Sequence, residues 1–416
     1  MSDHKFRYML PPGTRFQFVA KFKTWIWLSV ALTVATVVVL FANKSIRGEY
    51  MNWTIDFSGG TEVVFAFKDK AGQFTEVDAG KVRTAFADAG EGDLDIGEIR
   101  YSDGSGSVSG MLVKTPRFSG LKPEIAQQVA SAFQQKLADR GVLRATWSGD
   151  RLFVRSKKPI SAADAAPVFS ASGLELKPAA STTAKPDEGT GEYSQVFAIW
   201  GLDRQYQQIL DKALPGIDAM VVQTSGVGAK AGDKLRDDAV RSLLYALVLI
   251  MLYLAFRFDI RYAPGAAFAV IHDAVMVIGV YAATWTEVSL TTVAALLTVM
   301  GYSVNETVIS FDRIRENEAR LKDKSIERII DISINERLTR TVMTASTVFA
   351  TTLIMNIFGT GLVKNFAFAM NIGVVVATYS SIFLAAPVFL WISKKWYSGP
   401  PRRRRAPPRI EPEPAS

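Results

Sequence analysis

Apolar residues gather in six stretches along the chain, near 25–43, 239–256, 262–283, 288–312, 338–357 and 365–392. Each approaches the roughly 20 residues that a helix needs to cross a hydrocarbon core. Between the first and second stretch the pattern changes. GTEVVFAFKD (60–69) alternates as a strand with one buried face, TEVDAGKVRTAFADAG (75–90) repeats at helical spacing, and GMLVKTP (110–116) reads as another strand. KPEIAQQVASAFQQKLADRG (122–141) is a longer helix with Gly141 at its C-terminal cap. DRLFVRSK, SAADAAPVFSASG, SQVFAIWG, DRQYQQILDKA and DAMVVQT then continue the alternation of strand and helix through Thr224. A Pro/Thr/Gly-rich stretch, 178–194, interrupts it as a linker. The expectation is a polytopic α-helical membrane protein with a large α+β domain over residues 44–238, built as two small units joined by that linker.

Composition sharpens the class. At 49% hydrophobic and 21% charged residues, the 416-residue chain is more apolar than most soluble proteins of its length. It has no cysteine, which excludes disulfides and thiolate metal sites and suits a large part outside the cytoplasm. The two histidines, His4 and His272, leave no histidine-rich metal site, and no nucleophile–base pair appears, so no enzyme is expected and no cofactor. The first apolar stretch follows more than twenty polar and aromatic residues and has no small-residue cleavage pattern near Phe41–Ser45, so it reads as a retained anchor.

The net charge of +8 matters less than where the basic residues lie. Lys5, Arg7, Arg15, Lys21 and Lys23 precede the first stretch, and Lys394, Lys395 and the run Arg402 to Arg405 follow the last. Arg313, Arg315, Arg320, Lys322, Lys324 and Arg328 fill the connection 314–337 and its approaches, whereas TWTEV (284–288) has no base and the loop after Ile357 has only Lys364. The positive-inside rule therefore puts both termini, residues 1–24 and 393–416, and the 314–337 loop in the cytoplasm. The 44–238 domain falls on the far side, and 239–392 forms a five-helix membrane region. The arginine run reads as an orientation and lipid-surface signal, not a nucleic-acid patch. TSGVGAKAGDKL (224–235) lacks the Lys-Ser/Thr ending of a phosphate loop, and its glycines read as a flexible entry into the second span.

Polar residues inside the spans pose the functional question. Ser303, Glu306, Ser310 and Arg313 share a face of the fourth span, and Arg340, Thr344, Thr347 and Thr351 share a face of the fifth. Glu306 and Arg340 both lie about 27 Å from the far-side surface at 1.5 Å per residue, so the two stripes are expected to face each other or a wet cavity. Asn305 adjoins Glu306. In the third span His272 and Asp273 lie about 16 Å from the far end, behind the small residues Gly265 and Ala269. A carboxylate here has two readings, an ion pair that holds helices together or a group that takes up and gives back protons. Asp312, Arg313, Arg315 and Glu316 read as an interfacial network that fixes the end of the span.

Five motifs in order resemble the SecF family, the smaller subunits of the SecDF protein-export complex. They are IDFSGGT (55–61, with Asp56, Gly59 and Gly60), VGAKAGDKLRDDA (227–239, opening on Val227 and Gly228), IHDAV (271–275), GYSVNETVISFDRIREN (Gly301 to Asn317) and NERLTRTVMTAST (335–347). The resemblance implies half of a twelve-helix bundle of the resistance–nodulation–division superfamily, with a SecD partner supplying the other six spans. It also implies residence in the cell inner membrane and use of the proton-motive force to promote late translocation of unfolded chains, after the SecA-driven, ATP-consuming step at the SecYEG channel. The family's acidic residue falls on Glu306, where this chain has Glu in place of Asp, and its arginine falls on Arg340. The far-side region is longer than is typical of the family, with an extra segment near 145–200. Two other readings stay open, half of a proton-driven exporter of lipids or drugs and a scaffold of the translocon without proton coupling.

Overall fold

Residues 16–92, 94–102, 107–177, 185–187, 189–257 and 261–396 are described by the computed structural model. A 3-10 turn, Val19–Lys21, leads into α1 (Phe22–Arg47), followed by β1 (Asn52–Trp53), α2 (Ile55–Ser58), β2 (Gly60–Asp69), α3 (Ala79–Asp88), β3 (Asp95–Ser102) and β4 (Ser107–Thr115). Then come α4 (Pro123–Lys136), β5 (Val142–Ser148), β6 (Arg151–Ser156), α5 (Ala162–Ser170), β7 (Lys185–Pro186), β8 (Tyr193–Ala198), α6 (Leu202–Ala213) and β9 (Ile217–Val227). The C-terminal half holds α7 (Ala229–Arg257), α8 (Ala263–Thr284), β10 (Glu287–Val288), α9 (Leu290–Arg320), α10 (Ile326–Phe358), α11 (Gly361–Ser380) and α12 (Ala386–Trp396). A π-helical turn, Ser381–Ala385, fuses α11 and α12 into one span.

Six helices are long and apolar enough to cross a membrane, one on each expected stretch. They outrun the apolar core at their ends. In particular, the expected loop 314–337 is mostly helix, since α9 continues to Arg320 and α10 starts at Ile326 with Ser325 as its cap. Polar side chains sustain those extra turns: Arg313 and Arg315 bond Glu316 and Asp312 three residues away, at 2.5 and 2.7 Å. Phe16 and Phe18 bond Asn335 and Asp331, and Lys394 pairs with Glu327, so the described N-terminal end, the α9–α10 turn and the end of α12 meet at one end of the bundle. The run Arg402 to Arg405, Lys5, Arg7, Arg15 and His4 lie outside the described residues.

The region between the first and second spans has two nested α+β units, not two in tandem. In the outer unit β2, α3, β3, β4, α6 and β9 form an antiparallel sheet of order β3-β4-β2-β9 with both helices on one face, the βαββαβ arrangement of ferredoxin-like folds. Its core is Val63, Phe65, Phe67, Phe86, Met111, Val113, Tyr206 and Leu210. The inner unit, α4 through β8, is inserted between β4 and α6. Its sheet, of order β5-β6-β8-β7, covers Phe133, Leu152, Val154, Phe169 and Phe197. The stretch 178–194 therefore does not join the units. Its described residues, with β7 paired to β8, lie inside the inner one, whereas residues 178–184 and 188 fall outside the described set. The inner unit begins ahead of the stretch 145–200, at α4, because α4 packs on β5 and carries Val129 and Phe133 into the inner core.

The glycines of the entry to the second span act through close packing, not flexibility. A Cβ on Gly232 of α7 would lie 3.0 Å from the amide nitrogen of Gly59, and one on Gly59, at φ 73°, would lie 2.9 Å from Cα of Ala229. The IDFSGG segment thus rests backbone to backbone on the start of the second span. In the membrane region α8, α9 and α11 form the interior, while α1, α7 and α10 present most of their surface outward. Gly265 and Ala269 are buried along α8, and a Cβ at 265 would lie 2.6 Å from the Ala385 carbonyl of the π turn.

Candidate functional site in the membrane spans

The interior of the bundle is apolar, with Ala266, Val270, Val299, Met300, Phe311 and Phe389 among its packed residues. A line of polar side chains runs through it. Helix α9 supplies Ser303, Glu306, Ser310 and Asn317 on one side at spacings of 3, 4 and 7, and Ser303, Glu306 and Asn317 are buried.

Glu306 is 3% exposed and its ion-pair partner is Arg337 of α10, with Nη2 at 3.7 Å from Oε2. Arg337 Nη1 donates to Ser310 Oγ at 2.6 Å and reaches the Glu306 carbonyl at 3.4 Å, while Nη2 donates to Thr341 Oγ1 at 3.3 Å. Glu306 Oε2 accepts no hydrogen bond among the described residues. The pair is an electrostatic contact whose carboxylate keeps an open acceptor.

This corrects the expected pairing with Arg340. Arg340 is exposed on α10 and forms no ion pair among the described residues. Thr344, Thr347 and Thr351 are exposed beside it, and their hydroxyls bond carbonyls of their own helix, Thr344 those of Arg340 and Thr341. Arg337 and Arg340 differ by three residues, about 60° around the helix, so the polar stripe was given the wrong rotation. Asn305 and Gly301 of α9 also point outward, with nothing within 4 Å of a Cβ at 301. The two expected stripes therefore do not meet: one is buried and the other lies on the outside.

A second polar cluster lies one turn along the same face of α9. Asp273 of α8 is fully buried and accepts from Ser303 at 2.6 Å and from Ser380, the last residue of α11, at 2.8 Å. His272 Nδ1 lies 3.2 Å from its other oxygen. Ser303 and Glu306 are three residues apart, a rise of about 4.5 Å. The π turn that follows Ser380 adds a residue to the helical repeat, as such turns do beside functional sites. Asp273 thus ties three helices together beside the Glu306–Arg337 pair. At the opposite end of α9, Asn317 donates to Ser333 and Glu336 at 2.9 and 2.8 Å, and Arg313 and Arg320 join Glu336 at 2.7 and 3.2 Å.

Arg337, Thr341, Ser380 and Glu336 were not singled out by the residue pattern. A signal existed for two of them. Arg337, Thr341, Val348 and Thr352 form a second row on α10 at spacings of 4, 7 and 4, and the apolar residue within it marks the inward side.

The architecture is that of a six-span membrane subunit with a buried ion pair and a polar outer face. Residues 206–395 match the family described as protein export membrane protein SecD/SecF, C-terminal. Over these residues the chain is similar to the protein-export membrane proteins of that family. It is 41% identical over 197 residues to the protein translocase subunit SecF of Gemmatimonas aurantiaca, covering 47% of this chain and 59% of that one. It is also 41% identical over 191 residues to SecF of Rhodobacter capsulatus, covering 45% and 57%. The crystal structure of SecDF, a translocon-associated membrane protein from Thermus thermophilus, superposes with a TM-score of 0.62 at 25% identity, over 93% of this chain and 40% of that one. The chain thus spans about three-fifths of the curated SecF relatives that it matches.

Proposed function

We propose that this chain is the SecF-type subunit of a protein translocase and that, with a SecD-type partner, it uses the proton-motive force to promote late steps of translocation. The observation that carries this reading is Glu306, a carboxylate buried among the spans, held at 3.7 Å by Arg337 and left with an open acceptor atom. A carboxylate in hydrocarbon is costly, and this one can change its charge when its surroundings rearrange. Each elementary charge moved through the membrane field supplies about 2.3 kcal/mol per 100 mV.

A partner bundle is expected against the face made by Gly301 and Asn305 of α9 and Arg340, Thr344, Thr347 and Thr351 of α10. Exposed polar side chains there face either lipid or another protein, and protein is the cheaper neighbour. Arg340 is then available to a carboxylate of the partner, and the family's arginine works across the subunit interface. The membrane in question is the cell inner membrane, with both termini cytoplasmic. The translocating unfolded chain passes on the far side after the SecA-driven step at SecYEG.

The test is export into inverted vesicles with and without an imposed proton gradient. Glu306→Gln keeps the size and hydrogen bonding of the side chain and removes its titration, so gradient stimulation is lost while co-purification with the partner persists. Glu306→Asp restores the family's usual residue and retains much of the stimulation. If the Gln variant kept full gradient stimulation, the role given to Glu306 would be wrong, and a scaffold without coupling would be favoured.

A further inference from the structure

The outer far-side unit meets the membrane helices at a small charged cluster that the proposed proton site does not include. Lys114 of β4 pairs with Glu287 of β10, in the turn between α8 and α9, and lies 3.8 Å from Glu62, its cross-strand partner on β2. The lysine side chain is 13% exposed, so the cluster is partly withdrawn from water. Burial lifts the Glu62 carboxyl above its ordinary range; Lys114 opposes that rise, and the carboxylates of Glu287 and Asp56 add to it. Two carboxylates, Glu62 and Glu287, share one ammonium.

Backbone bonds fix the turn on both sides of Glu287. β1 and β10 pair in parallel, Asn52 with Glu287 and Trp53 with Val288. Thr54 donates its N–H to the Val288 carbonyl at 3.0 Å and its hydroxyl to the same oxygen at 3.2 Å. Leu290, the first residue of α9, donates its N–H to Asp56 at 3.2 Å, and Ser289 with Thr292 closes a capping box there. From this cap α9 runs unbroken to Glu306, sixteen residues or about 24 Å away. On the other side, β4 and β2 are the two central strands of the outer sheet. An ion pair thus links the outer sheet to the turn that opens α9.

We propose that Lys114 and Glu287 are positioning residues of the proton-driven cycle, a joint that makes the outer far-side sheet move with α9. The inference rests on the reading of Glu306 above and gives that reading its mechanical output. When the charge on Glu306 changes and α9 shifts, the turn carrying Glu287 shifts with it, and Lys114 carries the displacement to β4. Backbone pairing through β1 holds the turn to the segment after the first span, whereas the ion pair reaches the sheet itself.

Two readouts test it in the full chain with its partner in vesicles. In the first, gradient-stimulated export is divided by export without a gradient at equal subunit level. Lys114→Met lowers this ratio at least fivefold, Lys114→Arg keeps it, and the exchange Lys114→Glu with Glu287→Lys recovers it to within twofold of the parent. In the second, spin labels are placed at Gln73→Cys on the outer unit and Ala294→Cys on α9, which is possible because the chain has no cysteine of its own. Lys114→Met widens the distance distribution at least twofold, and the exchange narrows it again. An unchanged width, or an assembled exchange variant without stimulation, overturns the joint. The label readout does not depend on proton coupling, so a Glu306→Gln variant that still responded to the gradient would remove the proposed function and leave the mechanical claim to be judged separately.

Discussion

Replacing Arg337 by methionine keeps an unbranched aliphatic stem and removes the cation that faces Glu306. At the observed 3.7 Å the Coulomb attraction is about 4.5 kcal/mol for an effective dielectric constant near 20. The variant also loses the hydrogen bond to Ser310 at 2.6 Å, which for a charged donor contributes about 1.5–3 kcal/mol. Against these losses stands the desolvation of the guanidinium, which methionine does not suffer. Breaking a buried pair from one side nets about 3–5 kcal/mol of destabilisation, because a lone carboxylate stays behind. Arg340→Met removes an exposed cation without an ion-pair partner among the described residues, so it does not destabilise the lone chain. The double variant Arg337→Met with Glu306→Met puts two apolar side chains in the gap and recovers most of the loss. Unfolding of the purified chain in mixed micelles, titrated with denaturing detergent, gives all the corners of the cycle. A cost below about 1 kcal/mol for Arg337→Met, or an equal cost for Arg340→Met, would refute the pairing described here.

Two further expectations concern the α+β units. Asp150 accepts from Ser119, Gly120 and Leu202 at 2.5, 3.0 and 3.2 Å, which staples both crossings between the nested units, and a Cβ on Gly201 would lie 1.8 Å from its carboxylate. Gly201→Ala therefore destabilises by about 1–3 kcal/mol or more and speeds proteolysis at the crossings, and unchanged proteolysis would count against the staple. Glu62 has a folded pKa above its ordinary 4.5, chiefly through burial, so its contribution to stability is present below about pH 4.5 and is lost as the pH rises through the folded value. Glu62→Gln therefore raises the melting temperature at neutral pH and flattens its pH dependence above 4.5, and a melting temperature lower at neutral pH than the parent's would show the sign to be wrong.

How much of this was legible in the residues depended on which physical signal each feature leaves. Spans announce themselves by length and apolarity, and all six fall on the expected stretches. Strands with one face in a core announce themselves by alternation, as GTEVVFAFKD did for β2 and DRLFVRSK for β6. Among the longer strands, those that left no such signal are β3, DIGEIRYS, and β5, VLRATWS, and each is the edge of its sheet. An edge strand carries polar and charged residues that discourage pairing with other chains, and the same residues blur the alternation. The nesting of the units was hidden for a different reason. β9 pairs with β2 across about 150 residues of chain, and local pattern says nothing of pairing at that range.

The intramembrane site shows the sharpest limit. Helical periodicity fixes which residues share a face, but the rotation of that face is set by neighbours, and on α10 two rows sixty degrees apart both carry an arginine followed by threonines. In water the choice would be simple, because the polar row faces outward. Among membrane helices both rows are acceptable, one beside a buried carboxylate and one beside a partner protein. The row that ends on Arg337 meets Glu306 within this chain, so the charge of the acid is compensated before any partner arrives. Arg340 is thereby released from the interior. An arginine kept at the outer face of a hydrophobic span is costly in lipid, which is why a partner carboxylate is proposed for it. The two arginines thus differ in role: Arg337 balances the acid inside the bundle, and Arg340 stands on its outside.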